Sequence, residues 1–304
     1  MHKSPLGMFA VLVSAIVWGT TGTAATFAHG VSAIEIGAIS MGCGGLLQAL
    51  LASGRIRHSW RILSQQWGYL LLGAAAVAIY PLAFYASMHL AGVTIGTVVS
   101  IGSAPLLSAL IEYWLDNLTL TWRWLLGAML GIVGIVLLCA VEGNDHSTAA
   151  TATTVISGVS LGVLAGFTYA LYSWTARRLM QRKVLPSAAM GATFGLGGLL
   201  LIIVWCFSGM HILSTWQNSS VGLYMILVPM FIGYLCYGYG LARIPASSAT
   251  TITLLEPVVA ALLAVVIVGE RLPFLGWMGV ALIIICLVCI VYPAPAAPKV
   301  SKEK

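Results

Sequence analysis

Apolar residues run along this chain in long, nearly unbroken stretches, with neither the strict alternation of a half-buried strand nor the narrow stripe of a surface helix. Ten stretches of about twenty residues stand out, at 6–28, 33–53, 67–88, 93–114, 122–141, 155–176, 187–208, 220–241, 246–268 and 273–292. Each is long enough to cross a hydrocarbon core of ~30 Å as a helix rising about 1.5 Å per residue. Short polar marks separate them, among them Arg55-Ile56-Arg57-His58 and Glu142-Gly143-Asn144-Asp145-His146. The pattern predicts an all-α integral membrane protein of ten transmembrane helices. The first stretch follows Lys3 but is longer than the apolar core of a signal peptide and has a counterpart in the second half, so it reads as a retained helix.

Composition supports a lipid solvent. Of 304 residues, 60% are hydrophobic and 7% charged, and the mean hydropathy is +1.00; a soluble domain carries about a quarter charged residues. The net charge of +6 does not indicate a nucleic-acid partner, because the basic residues fall in short clusters between the apolar runs. Cytoplasmic ends carry the excess of Lys and Arg. With the N-terminus inside, ten crossings return the C-terminus inside. Lys3, Arg55, Arg57, Arg61, Arg123, Arg177, Arg178, Arg182, Lys183, Arg243, Lys299, Lys302 and Lys304 then share the inner face, against Arg271 outside. The expectation is a multi-pass protein of the inner (plasma) membrane with both termini cytoplasmic. Six cysteines lie within apolar runs, and the Cys286/Cys289 pair has neither a second pair nor a nearby histidine. No metal site or cofactor is expected.

The chain also repeats itself. A shift of 152 residues sets Tyr85 on Tyr237, Pro105 on Pro257, Leu106 on Val258, Ala109 on Ala261 and Gly127 on Gly279; a shift of 151 sets Gly7 on Gly158, Ala15 on Gly166 and Trp18 on Tyr169. Residues 1–141 form a first five-helix repeat, 142–154 an extracytoplasmic link, 155–292 a second five-helix repeat and 293–304 a basic cytoplasmic tail. Because five is odd, the second repeat enters the membrane the other way up. Inverted repeats of this kind build secondary transporters that hold substrate near mid-depth between the halves.

Polar and aromatic residues mark where that site would lie. Pro105 and Pro257, midway along the fourth and ninth runs, each remove a backbone bond, to the carbonyls of Ile101 and Thr253, and so are candidate hinges. Near them the fourth run offers Thr97, Ser100 and Ser103, and the ninth offers Thr250, Thr253 and Glu256. Trp18, Tyr80, Phe84, Tyr85, Tyr169, Tyr234 and Tyr237 add rings from the first, third, sixth and eighth runs. Such a set suits an amphipathic cavity, in which rings take flat apolar groups and hydroxyls fix polar ends. Many of these aromatics serve packing equally well. Glu256 is the acid placed near the middle of a span, where a bare charge costs at least ~2.5–3.5 kcal/mol. It must face the protein interior, carry a proton, or both. Its readings are a proton-coupling carboxyl, a partner for a substrate ammonium group, or a brace for the kink at Pro257. The equivalent first-half position is Ala104. Glu112 and Asp116 are expected to pair with Arg123 or to snorkel.

The run Leu255-Glu256-Pro257-Val258-Val259-Ala260-Ala261-Leu262, continued by Gly269-Glu270-Arg271-Leu272, resembles the signature of the EamA-type drug/metabolite transporter superfamily. Trp18-Gly19 and the segment from Gly276 to Gly279 also fit. The resemblance covers the whole chain. It implies a ten-helix exporter with a cavity walled by the first four helices of each half, and peripheral fifth helices available for packing or for contacts in a homo-oligomer. Within that superfamily the YddG-like aromatic amino-acid exporters fit the cavity aromatics; drugs or other metabolites are the alternative cargo, and protons a candidate coupling ion. The first half carries Asp116-Asn117-Leu118-Thr119 where the second carries Val268-Gly269-Glu270-Arg271, so the Gly-Glu-Arg turn occurs once. An integral-membrane enzyme or a channel is the competing class. HExxH, a P-loop and a His–acid cluster are all missing from the sequence, as is a filter-like motif, and transport of a small-molecule substrate is the preferred expectation.

Overall fold

The computed structural model describes residues 4–142, 152–268 and 272–291. Most of the 142–154 link, the Gly269-Glu270-Arg271 turn and the tail 293–304 therefore lie outside the described residues. The first crossing is made by α1 (Pro5–Gly19) and α2 (Thr21–Ala25), the second by α3 (Ala33–Leu51). After α4 (Ser53–Gln65), α5 (Trp67–Ala91), α6 (Val93–Asp116) and α7 (Trp122–Glu142) make the third to fifth. In the second half α8 (Ala152–Gln181) and α9 (Pro186–Cys206) are the sixth and seventh. The eighth combines α10 (Trp216–Met225), a π-helical stretch Ile226–Gly233 and α11 (Tyr234–Leu241). The ninth combines α12 (Ala246–Ile252), α13 (Leu255–Leu263) and a π-helical stretch Ala264–Val268, and α14 (Phe274–Val291) is the tenth.

Local chemistry sets several starts. Ser4, Ser32 and Thr215 cap α1, α3 and α10 by accepting from the N–H of Gly7, Glu35 and Asn218. Such oxygens satisfy donors that a helix leaves unpaired at its N-terminus. Pro5 and Pro186 open their helices at positions where a missing N–H costs nothing.

The protein is two inverted repeats of five crossings, and its packing shows the pseudo-symmetry. The third crossing lies on the sixth (α5 on α8), and its mate, the eighth, lies on the first (α11 on α1). The fourth lies on the sixth (α6 on α8), and its mate, the ninth, on the first (α13 on α1). The second pairs with the seventh (α3 on α9) and the fifth with the tenth (α7 on α14), each crossing meeting its own mate. A stripe on α8 makes the first of these approaches close. A Cβ at Gly158 would meet Ala91 and one at Gly162 would meet Ser87 and Val99, so small residues let the backbones touch.

Every described Lys and Arg lies at one end of the bundle, the end where α1, α5, α7 and α9 begin. Exposed Trp60, Trp67, Trp114 and Trp122 ring this cationic end, while exposed Phe207, Trp216 and Phe274 ring the opposite one. Aromatic girdles of this kind sit at the two membrane–water interfaces. Between them Leu71, Leu199, Ile203 and Ile284 point outward, a surface that only lipid solvates well.

Two expectations need correction. The polar stretch between the second and third runs is not a simple connection, because it folds as the amphipathic helix α4, with Ser59 and Leu63 buried. Glu112 and Asp116 do not pair with Arg123: Glu112 lies 3.7 Å from Arg177 and Asp116 2.5 Å from Arg178. The partners come from α8 because α6 packs along it.

Candidate functional site

Between the halves, from mid-depth toward the end opposite the cations, lies a cavity of about 70 Å³. Trp18 and Thr21 line it from the first crossing, Gly37 and Met41 from α3, and Tyr80, Pro81, Phe84 and Tyr85 from α5. Across from them stand Tyr169 and Tyr172 of α8, Met230 and Tyr234 of the eighth crossing, and Glu256 of α13.

The aromatic wall is continuous. Trp18 and Tyr234 have ring centroids 4.6 Å apart, Tyr80 and Tyr169 5.4 Å, Tyr169 and Tyr172 5.2 Å, and Phe84 and Tyr85 5.3 Å. These separations fall in the range favoured by ring quadrupoles. Gly37 is the floor under Tyr85, since a side chain there would strike the ring.

Buried hydroxyls are tied within the second half, from α8 to the eighth and ninth crossings. Tyr172 Oη lies 3.1 Å from Tyr234 Oη, Tyr169 Oη 2.9 Å from Thr253 Oγ1, and Tyr237 Oη 2.8 Å from Ser173 Oγ. Tyr237 therefore stands behind Trp18, 5.2 Å from it centroid to centroid, and does not line the cavity. Thr253 supports Tyr169 from behind. Thr250 turns its hydroxyl back to the carbonyls of Ala246 and Ser247. Thr97, Ser100 and Ser103 are not on the cavity wall. Ser100 and Ser103 lie where α6 meets α8 at Gly166, close enough that a Cβ on Gly166 would sit 2.7 Å from the Ser100 carbonyl. The close glycine contact turns this hydroxyl face into a seam.

Among the described residues Glu256 is the sole carboxylate, ammonium or guanidinium group on the wall. Its carboxylate has no hydrogen-bond or ion-pair partner among the described residues. Its backbone position explains how a carboxylate comes to stand there. The ninth crossing is broken at Thr253–Leu254, with tight bonds from Leu254 N to Thr251 O (3.2 Å) and from Glu256 N to Thr253 O (3.0 Å). Glu256 thus occupies the first turn of a new helix, α13. Unpaired N–H groups and the dipole there favour a negative charge by about 0.3–1 kcal/mol. Pro257 falls just inside the same helix start, whereas Pro105 sits within the uninterrupted α6.

Two residues that the sequence reading passed over, Pro229 and Gln48, hold wall residues in place without lining the cavity. Pro229 belongs to a π-helical stretch, where carbonyls lose their usual partners. Trp18 Nε1 donates to the Pro229 carbonyl at 2.9 Å and Gln48 Nε2 to the Met230 carbonyl at 3.1 Å. The signal available was a proline and a glutamine inside apolar runs.

The cationic end is sealed below the cavity. The buried Glu112 carboxylate accepts from the N–H of Ala246 (2.7 Å) and of Ser247 (3.0 Å), and from Ser247 Oγ (2.5 Å), so α6 caps the first turn of α12. Arg177 Nε donates to the Ile244 carbonyl at 2.7 Å. At the other end Glu35, also buried, accepts from Ile212 N at 2.8 Å and lies 3.3 Å from His211 Nδ1.

Comparison with known proteins places this architecture. The model of the EamA-like transporter family matches residues 5–140 and again 156–292. An uncharacterized transporter, YwfM, of Bacillus subtilis (strain 168) is 29% identical over 294 residues, covering 96% of this chain and 94% of that protein. A probable terminal-alkyne amino-acid exporter of Streptantibioticus cattleyicolor is 26% identical over 89% of this chain and 91% of its own length. A biotin transporter of Escherichia coli (strain K12) is 25% identical over 59% of this chain and 58% of its own. A solved crystal structure superposes with a TM-score of 0.77 at 17% identity, covering 93% of this chain and 95% of that one, and shows the same fold.

Proposed function

The chain belongs to the EamA-like transporter family, and from that premise we propose that this membrane transporter exports small amphipathic metabolites bearing an amine, aromatic amino acids foremost, by alternating access. The observation that carries the reading is the wall itself: a ring of tyrosines, Trp18 and Phe84 around one uncompensated carboxylate, Glu256. A substrate ammonium would pair with Glu256 and lie within the aromatic field, where cations gain further attraction. A flat side chain would stack on Tyr80, Tyr169 or Tyr234, and Thr21 with the tyrosine hydroxyls would take the polar remainder. The amino-acid exporter among the relatives supports an amine-bearing cargo, while the biotin transporter among them is named for a different solute.

Alternating access needs two arrangements of comparable energy, which the pseudo-symmetric halves supply. In the present arrangement the Glu112 contacts close the cationic end, which by its charge faces the cytoplasm. Opening that end requires α6 and α12 to part. We assign the hinge role to the break before Pro257 more than to Pro105, since a broken helix bends where its backbone bonds are already missing. A proton and a substrate amine would compete for Glu256, so export of one would accompany entry of the other.

Purified protein in proteoliposomes tests the cargo. Preloaded tryptophan or phenylalanine is expected to drive uptake of labelled tracer, with biotin and a neutral sugar as comparison solutes. Exchange of neutral solutes with no exchange of any amine would refute the reading. A cysteine at Ser147 should react with an impermeant thiol reagent from outside the cell, and labelling only after permeabilisation would reverse the orientation.

A further inference from the structure

The cationic end holds nine described Lys and Arg residues but two described acids, Glu112 and Asp116. Both acids are already engaged, by Arg177 and Arg178. The remaining positive charge gathers around α4. On one side this helix buries Ser59 and Leu63, with Ile56 and Ile62 packed on a small apolar cluster that includes Leu70, Leu179 and Val184. At 100° per residue, Trp60, Arg57 and Arg61 follow each other around the opposite side. Arg57 and Arg61 are exposed, and among the described residues neither guanidinium has an ion-pair or hydrogen-bond partner. Arg182, which bonds Gln66 at the end of α4, and the exposed Lys183 extend the same surface.

Connectivity does not require this helix. In the second half the equivalent connection, from Cys206 to Trp216, is made by a short stretch containing a single 3-10 turn and no Lys or Arg. Among the described residues, the first half carries an amphipathic, basic helix at one membrane surface that has no counterpart in the second half. The indoles of Trp60 and Trp67 beside it are 60% and 65% exposed. Exposed indoles are poorly served by water and well served by the interfacial zone of a bilayer. A soluble anion would neutralise the arginines and leave the indoles bare; an anionic phospholipid meets both needs.

We infer that α4 is a docking surface for anionic phospholipid headgroups, with Arg57 and Arg61 holding the phosphate and Trp60 seated at the acyl boundary. The surface ties the α4 side of the bundle, with Arg182 and Lys183 beside it, to the inner leaflet.

Full-length protein in mixed micelles tests this, with bound lipid counted by native mass spectrometry. Phosphatidylglycerol is expected to be retained where phosphatidylcholine is lost. Arg57→Gln with Arg61→Gln should weaken phosphatidylglycerol binding on the order of tenfold or more, at roughly fivefold per charge, while Arg57→Lys with Arg61→Lys keeps most of it. Equal retention of both lipids, undiminished binding in the glutamine variant, or equal competition by soluble glycerol phosphate would each overturn the inference. Should the glutamine variant not fold, brominated phosphatidylglycerol decides: it should quench wild-type fluorescence more than that of Trp60→Phe, and equal quenching sinks the idea.

Discussion

Two three-crossing bundles of this protein are related by its pseudo-symmetry and built differently. In one, α5, α6 and α8 run without a break for 25, 24 and 30 residues, even though Pro81 and Pro105 lie inside them. In the other, each crossing is interrupted: the first at Thr20, the eighth at the π-helical stretch around Pro229, the ninth at Thr253–Leu254. At both threonine breaks a hydroxyl turns back to the chain, Thr20 to the Val17 carbonyl at 2.7 Å and Thr253 to that of Thr250 at 2.9 Å. Such bonds offer the backbone an alternative to the helical ladder. Proline alone therefore does not decide where a crossing yields. The comparison also accounts for the odd carboxylate, because Glu256 stands where a helix restarts and its mate, Ala104, is buried within a continuous one.

Four sets of substitutions, seven in all, probe this contrast. The largest effect should come from Gly166→Leu, since even a Cβ there would meet Ser103, the Ser100 carbonyl and the Ala104 N–H. Overpacking of this kind costs about 1–3 kcal/mol or more, and loss of folded protein in size-exclusion chromatography is expected. Gly22→Ala in the interrupted bundle, with nothing within 4 Å, should leave yield and elution unchanged; equal damage at both sites would deny that the bundles differ in tightness.

Next comes Glu256→Gln, which keeps shape and removes charge. Amine exchange should fall by at least about tenfold, the loss of a ~1.4 kcal/mol contact or more, with the melting temperature held. Placing the carboxylate on the other bundle, Ala104→Glu, should not restore exchange and should lower stability by several kcal/mol, because it buries an unpaired charge. Recovery of transport there would show that the two positions are interchangeable.

Glu112→Gln should act on the seal. Hydrogen bonds to a charged acceptor exceed neutral ones by about 1–2 kcal/mol, so a roughly tenfold shift toward opening at the cationic end is expected. Spin labels at Leu115 and Ala242 would report it as a longer distance; an unchanged distribution would remove Glu112 from the gate. Smallest of all, Pro257→Ala returns an N–H able to reach the Thr253 carbonyl. It should slow hydrogen exchange across residues 253–258, whereas Pro105→Ala alters exchange rate and transport little. The reverse ranking would move the hinge to α6.

Much of the frame was legible along the chain because hydropathy and charge are read by the bilayer residue by residue. Ten apolar runs, their odd-numbered duplication and the one-sided placement of Lys and Arg follow from partitioning alone. So did the choice of Trp18, Tyr80, Phe84, Tyr85, Tyr169, Tyr234 and Glu256 as neighbours, since the repeat brings those runs together. The helix α4 escaped notice because its apolar face is short and its average composition polar. Glu35 and Glu112 escaped because nothing in a sequence tells a snorkelling acid from one that caps a distant helix.

What the tertiary structure alone decided is orientation about each helix axis and the state of each backbone ladder. Thr97, Ser100 and Ser103 have the helical spacing of a polar face, yet none lines the cavity, and Gly166 draws Ser100 and Ser103 against α8. Pro105 and Pro257 align in sequence, yet one lies in a whole helix and the other at a break. A bilayer makes every crossing apolar on its outer side, so the pattern records that a segment spans; only the partners packed against it select which side turns inward and where the helix is allowed to end.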